Sequence, residues 1–523
     1  MVAGSLTTVQ VDPSTEIEFA PCFDGFECAR LNVPLDYTGK SANKGYTQLA
    51  LISLPAAVPV TDPHYLGPLL MNPGGPGVSG VDALLAVGPT MHQLVGTNHT
   101  LISFDPRGIN NTTPSLACFD TADAYGTWFE SGSAGALTKH NIAYETARYQ
   151  SLWANCDLEI QKYVSTPNVA RDMLEISEKT WKLAGKDGSK KGLRFWGISY
   201  GTALGQTFAQ MFPERVHRML LDAVVDVIDY SSGAMQSAIQ DYDTLLGRFF
   251  DLCSKAGPET CPFAAETKTP KDVKCKFDRL LKELDAQPLP VLKSSGPEAD
   301  SGRPDVVTSF DALRLTRAMT YSPLSGFPIL SDALEKAVQG DGSIIASFAH
   351  QTWRAPYQNG SCSNEIPAAG NEAVAAIYCS TTGIVPTQSQ IRKSLDLFTK
   401  KSKYGSAEWT LMSAGGCAGW KQPTLGLPKI ETFGTVTTKN PILFVSTGLD
   451  PATPLAQARA MAKLWRGSGV LSAPDGLGHG FSAVDSKCMQ AAIAKYWIDG
   501  KVDSKKETKC TVDSQPFDAP AQE

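Results

Sequence analysis

Short apolar runs recur through the first part of the chain and return near its end, with a long stretch of helical spacing between them. Residues 48–54, 68–71, 101–104, 193–196 and 217–221 are short, mostly apolar segments. Runs this short predict strands buried on both faces. Residues 168–183 and 202–212 carry apolar positions at the helical period, and the second run stops at Pro213. Strands and helices in alternation over residues 20–226 predict a mostly parallel, doubly wound sheet covered on both faces. From 229 to 435 the pattern becomes mainly helical, as in residues 242–253, 272–284 and 331–338. Loops rich in proline, glycine and serine, such as residues 294–304, separate these pieces. Strand-like runs resume at 441–446 and 469–473, and a helix over 485–498 closes the pattern. The expected organisation is an α/β core in two parts, 20–228 and 436–518, interrupted by a helical cap over 229–435.

The chemistry sits where strands end. Gly197-Ile198-Ser199-Tyr200-Gly201 lies between a predicted strand and a predicted helix. A G-x-S-x-G in that setting is a nucleophile elbow, a strained turn that lifts a serine Oγ clear of the backbone. Residues 68–71 run into Asn72-Pro73-Gly74-Gly75-Pro76-Gly77. A glycine-rich loop at that point can turn the Gly75 N–H toward an oxyanion, with the Tyr200 N–H as second donor. Asp450 follows the run 441–446, and His479 stands between Gly478 and Gly480 after the run 469–473. The order Ser199, Asp450, His479 is that of the α/β-hydrolase triad. Asp222 and Asp226 follow the strand after the nucleophile and are alternative acids. The other six histidines lie in unrelated settings and read as structural or exposed. Arg107 reads as one half of a buried ion pair that fixes the loop after its strand.

These motifs resemble the peptidase-like α/β-hydrolases that include proline iminopeptidase and the secreted tripeptidyl aminopeptidases. Residues 73–77 are similar to that group's HGGPG loop, with proline where histidine is common. Asp105-Pro106-Arg107-Gly108 is similar to its D-x-R-G turn, and residues 197–202 to its G-x-SYGT elbow. The tail, with Gly478-His479-Gly480, Cys488, Tyr496 and Cys510, and the entry from Cys22 to Tyr37, are also similar to the tripeptidyl aminopeptidases. The resemblance is carried by the two ends and the catalytic core; in residues 229–435 it reaches little beyond Cys417 and Trp420. It implies an α/β-hydrolase fold and an exopeptidase that removes short peptides or a proline from free N-termini. Such an enzyme must neutralise the substrate ammonium, which calls for cap carboxylates; Glu365 and Glu372 are among the acidic residues available there. The same machinery cleaves esters and lactones, so an esterase acting on a hydrophobic small molecule, in a biosynthetic pathway for example, is the alternative. A non-catalytic binding protein on this fold is a third reading. The chemistry needs no metal or organic cofactor.

Composition excludes other partners and leaves the peptide or small ester that the resemblance and the triad chemistry imply. The 523 residues carry a net charge of -6 with no basic run, which argues against nucleic acid. No apolar stretch is long enough to span a bilayer. Twelve cysteines are many for a cytosolic enzyme. Cys22 with Cys28, Cys118 with Cys156, Cys253 with Cys261, and Cys488 with Cys510 form local pairs without zinc-site spacing, so disulfides are expected. Asn98, Asn110, Asn111 and Asn359 begin N-x-S/T sequons, meaningful in a secretory pathway. Residues 1–18 are polar and hold no signal-peptide core. The expectation is a secreted protein whose leader is absent from this sequence; the alternative is a cytoplasmic one with free thiols. Oligomeric state is not written in these patterns.

Overall fold

A computed structural model describes residues 11–40, 45–130, 132, 137–156, 158–291, 305–352, 371–421, 425 and 429–518. Eight strands carry the main sheet: β1 Glu27–Pro34, β2 Tyr46–Leu54, β3 Gly67–Asn72, β4 His99–Phe104, β5 Leu193–Ile198, β6 Val216–Asp222, β7 Ile442–Leu449 and β8 Gly469–Leu477. Their spatial order is β1-β2-β4-β3-β5-β6-β7-β8, with two-residue strands along both edges. From β4 to β8 every neighbour is parallel, while β1, β2 and β4 pair antiparallel. The mostly parallel sheet that was expected is found, with its antiparallel pairs confined to the N-terminal edge. The residue pattern explains the difference. Every residue of β3 and β4 is buried, as a strand covered on both faces requires. β1 alternates buried and partly exposed positions, as an antiparallel strand half open to water does.

Two layers of helix cover the sheet. Thr166–Leu183, Tyr200–Met211 and Leu455–Leu464 pack on one face through residues such as Met173, Phe208 and Met461. Gly80–Val95 and Lys487–Asp499 pack on the other through Leu84, Met91, Ile493 and Trp497. Arg107 is wholly buried, with Nε and Nη2 on the two carboxylate oxygens of Asp172 at 2.7 and 2.6 Å. It also donates to the carbonyls of Leu35, Tyr163 and Pro34, so the expected ion pair fastens the entry segment to the helix before the elbow. Asp105 takes a separate task, accepting from Ser79 Oγ and the Val81 N–H at the start of Gly80–Val95.

After β6 the chain leaves the sheet. Helices Tyr242–Ala256, Pro270–Ala286, Ser309–Tyr321 and Pro323–Val338 build an apolar cluster of their own around Phe249, Phe277 and Phe327. Helix Asn371–Thr382 returns and packs Ala376, Ile377 and Tyr378 into the cluster that underlies the sheet. Four expected disulfides form, Cys22–Cys28, Cys118–Cys156, Cys253–Cys261 and Cys488–Cys510. A fifth, Cys379–Cys417, was not among the expected pairs, although its separation of 38 residues equals that of Cys118–Cys156. Cys275 is free and exposed. Cys362, the 294–304 loop, Asn359 and Glu365 lie outside the described residues. No described helix is long and apolar enough to cross a membrane.

Candidate active site

β5 ends at Ile198 and the next helix begins at Tyr200, so Ser199 alone makes the turn. Its φ of 57° and ψ of -123° put a non-glycine residue in a strained region. The turn is held from both sides. The Ser199 N–H donates to the Asp222 carbonyl at 2.9 Å, and the Ser199 carbonyl accepts from the Thr202 N–H and Oγ1 at 2.8 and 2.7 Å. The crossing is tight enough to demand glycine: a Cβ on Gly201 would stand 2.6 Å from the Asn72 carbonyl oxygen. Gly74, at φ 95°, presses the glycine-rich loop onto the elbow, where a Cβ would stand 2.4 Å from the Ile198 oxygen and 2.9 Å from the Tyr200 nitrogen. Gly75 and Tyr200 line the same cavity as Ser199.

Asp450 lies just past β7 and is fully buried. It accepts from the N–H groups of Ala452 and Thr453 and from Thr453 Oγ1, each at 2.8 Å. His479 Nδ1 sits 2.9 Å from both carboxylate oxygens. Burial alone would raise the Asp450 pKa, but the nearby imidazole and these donors outweigh it and hold the carboxyl below its ordinary value. The imidazole is fixed by its neighbours as well. Its backbone N–H donates to the Tyr321 carbonyl at 2.8 Å, and the Tyr321 ring lies 4.7 Å away, centre to centre. With Nδ1 turned to the carboxylate, the buried Nε2 has no hydrogen-bond partner among the described residues.

The two alternative acids have other work. Asp222 is buried and accepts from the Phe481 N–H at 2.9 and 3.2 Å, one oxygen each. Burial pushes its pKa up to about 7, and the Phe481 N–H and His479 only partly offset that. Asp226 caps helix Val227–Ser232 by accepting from the N–H groups of Ile228 and Asp229. Asp222 nonetheless matters for assembly. Its carbonyl holds the elbow and its carboxyl holds the histidine loop, which draws Ser199 and His479 to one place.

The cavity beside Ser199 has mainly apolar walls, to which Tyr230, Met235, Tyr378, Trp409 and Met412 contribute. Its charged members are Asp226, Asp229 and Arg317. Arg317 is already paired with Glu408 at 2.7 Å. Asp229 falls within 229–435, the stretch from which carboxylates were expected, whereas Glu365 lies outside the described residues. Glu372 is buried and absent from its walls, although Val374 and Tyr378 of the same helix form part of them. Arg317, Tyr321 and Glu408 escaped sequence reading because they sit on helices with no motif spacing, more than a hundred residues from the elbow. The fifth disulfide ties the helix bearing Tyr378 to the turn after Ser406–Ser413, which bears Trp409 and Met412. Among the described residues no group of three His, Cys, Asp or Glu side chains is placed to hold a metal ion.

Residues 402–510, the stretch that carries both Asp450 and His479, match the family described as TAP-like protein. The chain is similar to that family over this stretch, and its fold is that of an α/β-hydrolase. This hydrolase is 27% identical to the serine protease Hip1 of Mycobacterium tuberculosis, over 96% of this chain and 92% of that protein. It is 24% identical to a tripeptidyl aminopeptidase of Streptomyces lividans, over 92% of this chain and 83% of that protein. It is also 24% identical to carboxylesterase B of Mycobacterium tuberculosis, over 90% of this chain and 84% of that protein. The expected resemblance is borne out by these similarities, and so is an enzymatic, hydrolytic role.

Proposed function

We propose that this hydrolase is a serine exopeptidase, with Ser199 as nucleophile, His479 as general base and Asp450 as the acid that orients it. The observation that carries the reading is the seating of His479 Nδ1 on both oxygens of a buried, ionised Asp450, which leaves Nε2 to take a proton. In this mechanism Ser199 Oγ attacks a substrate carbonyl as Nε2 accepts its proton. The N–H groups of Gly75 and Tyr200 receive the oxyanion, each worth about 3 kcal/mol in comparable sites. His479 then protonates the leaving amine, and water repeats the sequence on the acyl-enzyme. Residues 229–435 serve as the cap over a catalytic unit formed by 20–228 and 436–518. Five disulfides favour work in an oxidising compartment.

Charge at the cavity supports a peptide with a free N-terminus. Asp226 and Asp229 contribute negative charge, and the one arginine at the walls is neutralised by Glu408. A substrate ammonium would balance that excess, and the relatives named serine protease and tripeptidyl aminopeptidase agree in kind. The apolar walls favour a second reading, an esterase for hydrophobic acyl groups, and one relative is named carboxylesterase B. A chromogenic panel separates the two. Free-amine tripeptidyl nitroanilides should be cleaved, and acetylating their N-termini should lower kcat/KM by about a hundredfold or more, because the carboxylates lose their partner. Ser199→Ala should be inert to all of them and should lose labelling by a fluorophosphonate. Efficient cleavage of nitrophenyl esters with no preference for a free amine would overturn the exopeptidase reading in favour of the esterase.

A further inference from the structure

The geometry points to Tyr321, on a helix of the inserted segment, as a substrate-binding residue whose hydroxyl donates a hydrogen bond to a carbonyl in the acyl portion of the bound peptide. This assignment rests on the exopeptidase reading above. Three contacts fix where the side chain stands. The Tyr321 carbonyl accepts the His479 N–H at 2.8 Å, its ring lies 4.7 Å from the imidazole, and its oxygen accepts from Arg317 Nη2 at 2.9 Å. Arg317 is in turn held by Glu408 through Nη1 at 2.7 Å. Tyr321 and Arg317 lie on Ser309–Tyr321, one helical turn apart, so the chain from Glu408 to the phenol is rigid.

The protons can be assigned. A guanidinium only donates, so the phenol oxygen is the acceptor in its bond to Arg317. A phenol carries one proton of its own, and among the described residues no acceptor is bonded to it. Burial holds the phenol pKa above its ordinary value despite the guanidinium, so that proton stays in place. Tyr321 is also only partly buried, and its free surface forms part of the wall that Ser199 shares. A carbonyl under attack by Ser199 must lie beside His479, and the Tyr321 ring flanks that imidazole. On this assignment the acyl chain leading away from the attacked carbon passes the hydroxyl, and a peptide chain presents a carbonyl there where an acetyl group presents none.

The test compares Tyr321→Phe with wild type on a free-amine tripeptidyl nitroanilide and on nitrophenyl acetate. The variant keeps the ring and the backbone carbonyl and removes only the hydroxyl. The expected result is a fall of at least about tenfold in the ratio of kcat/KM for the peptide to that for the acetate, since one donor to a buried carbonyl is lost. Fluorophosphonate labelling of Ser199 and the melting temperature, measured on both proteins, report on the rest of the machinery. Equal losses on both substrates, with slowed labelling, would mean that Tyr321 acts through His479 and would overturn the assignment. An unchanged ratio would overturn it too. Failure of the wild type to label at Ser199, or to cleave any free-amine peptide, would instead remove the reading on which the assignment rests.

Discussion

Replacing Asp450 and Asp222 by asparagine, one at a time, distinguishes the acid that serves His479 from the one that only ties loops together. In Asp450→Asn the amide oxygen can still accept from Ala452 and Thr453, which bond Oδ1. The amide nitrogen then replaces an oxygen that faces His479 Nδ1. It donates where the carboxylate accepted, so Nδ1 loses its proton and Nε2 gains it. That is the wrong tautomer for a base, and the equivalent change in the best-studied triad costs about 10⁴ in kcat, or about 5.5 kcal/mol. Asp222→Asn keeps an oxygen for the Phe481 N–H and leaves the imidazole alone, so kcat should stay within about threefold. Stability should move in opposite directions. The Asp450 pKa is lowered in the folded state, so its contribution is present above the ordinary carboxyl range and is lost as pH falls. Asp450→Asn should therefore be destabilised at neutral pH and approach wild type in acid. The Asp222 pKa is raised from 3.8 to about 7, so the unfolded chain ionises first and wild-type stability falls as pH rises through that window. The slope is about 1.4 kcal/mol per pH unit for one group. Asparagine does not titrate, so Asp222→Asn should gain on wild type between those pH values and hold the gain above them. Steady-state kinetics with thermal melts at several pH values measure both effects. A large kcat loss in Asp222→Asn with a nearly silent Asp450→Asn would refute the reasoning.

Gly74→Ala should lower kcat by about 10² to 10³, the value of one oxyanion donor, because its Cβ would collide with the elbow backbone and displace the Gly75 N–H. Nitroanilide kinetics check it, and retention of full activity would clear the loop of that role. Removing the fifth disulfide with Cys379→Ser and Cys417→Ser opens a 38-residue separation and should cost up to about 4 kcal/mol in denaturant melts. Because that bridge joins two walls of the cavity, KM should rise more than kcat falls.

Much of the core was legible in the sequence because its signals are local. A G-x-S-x-G between a strand and a helix, and glycines framing a histidine after a strand, each express a backbone requirement that neighbouring residues record. Ser199 and His479 could be named as candidates on those grounds, with Asp450 favoured over its alternatives, and four of the five disulfides could be paired. The choice between Asp450 and Asp222 could not be settled there. Both follow strands in the sheet, and only the distance to Nδ1 separates the carboxyl that meets the imidazole from the one that meets the Phe481 N–H. The cavity was illegible for the same reason. Tyr321, Arg317 and Glu408 lie on helices whose periodicity reports which face is buried and not what that face touches. The contact of Tyr321 with His479, and of Arg317 with Tyr321 and Glu408, depends on how helices distant in sequence pack together. Sequence alone therefore determined the scaffold and the candidate residues for the covalent chemistry, through short-range backbone geometry. Tertiary packing decided which acid reaches the histidine and which cap side chains line the cavity, because those contacts join residues that share no local pattern.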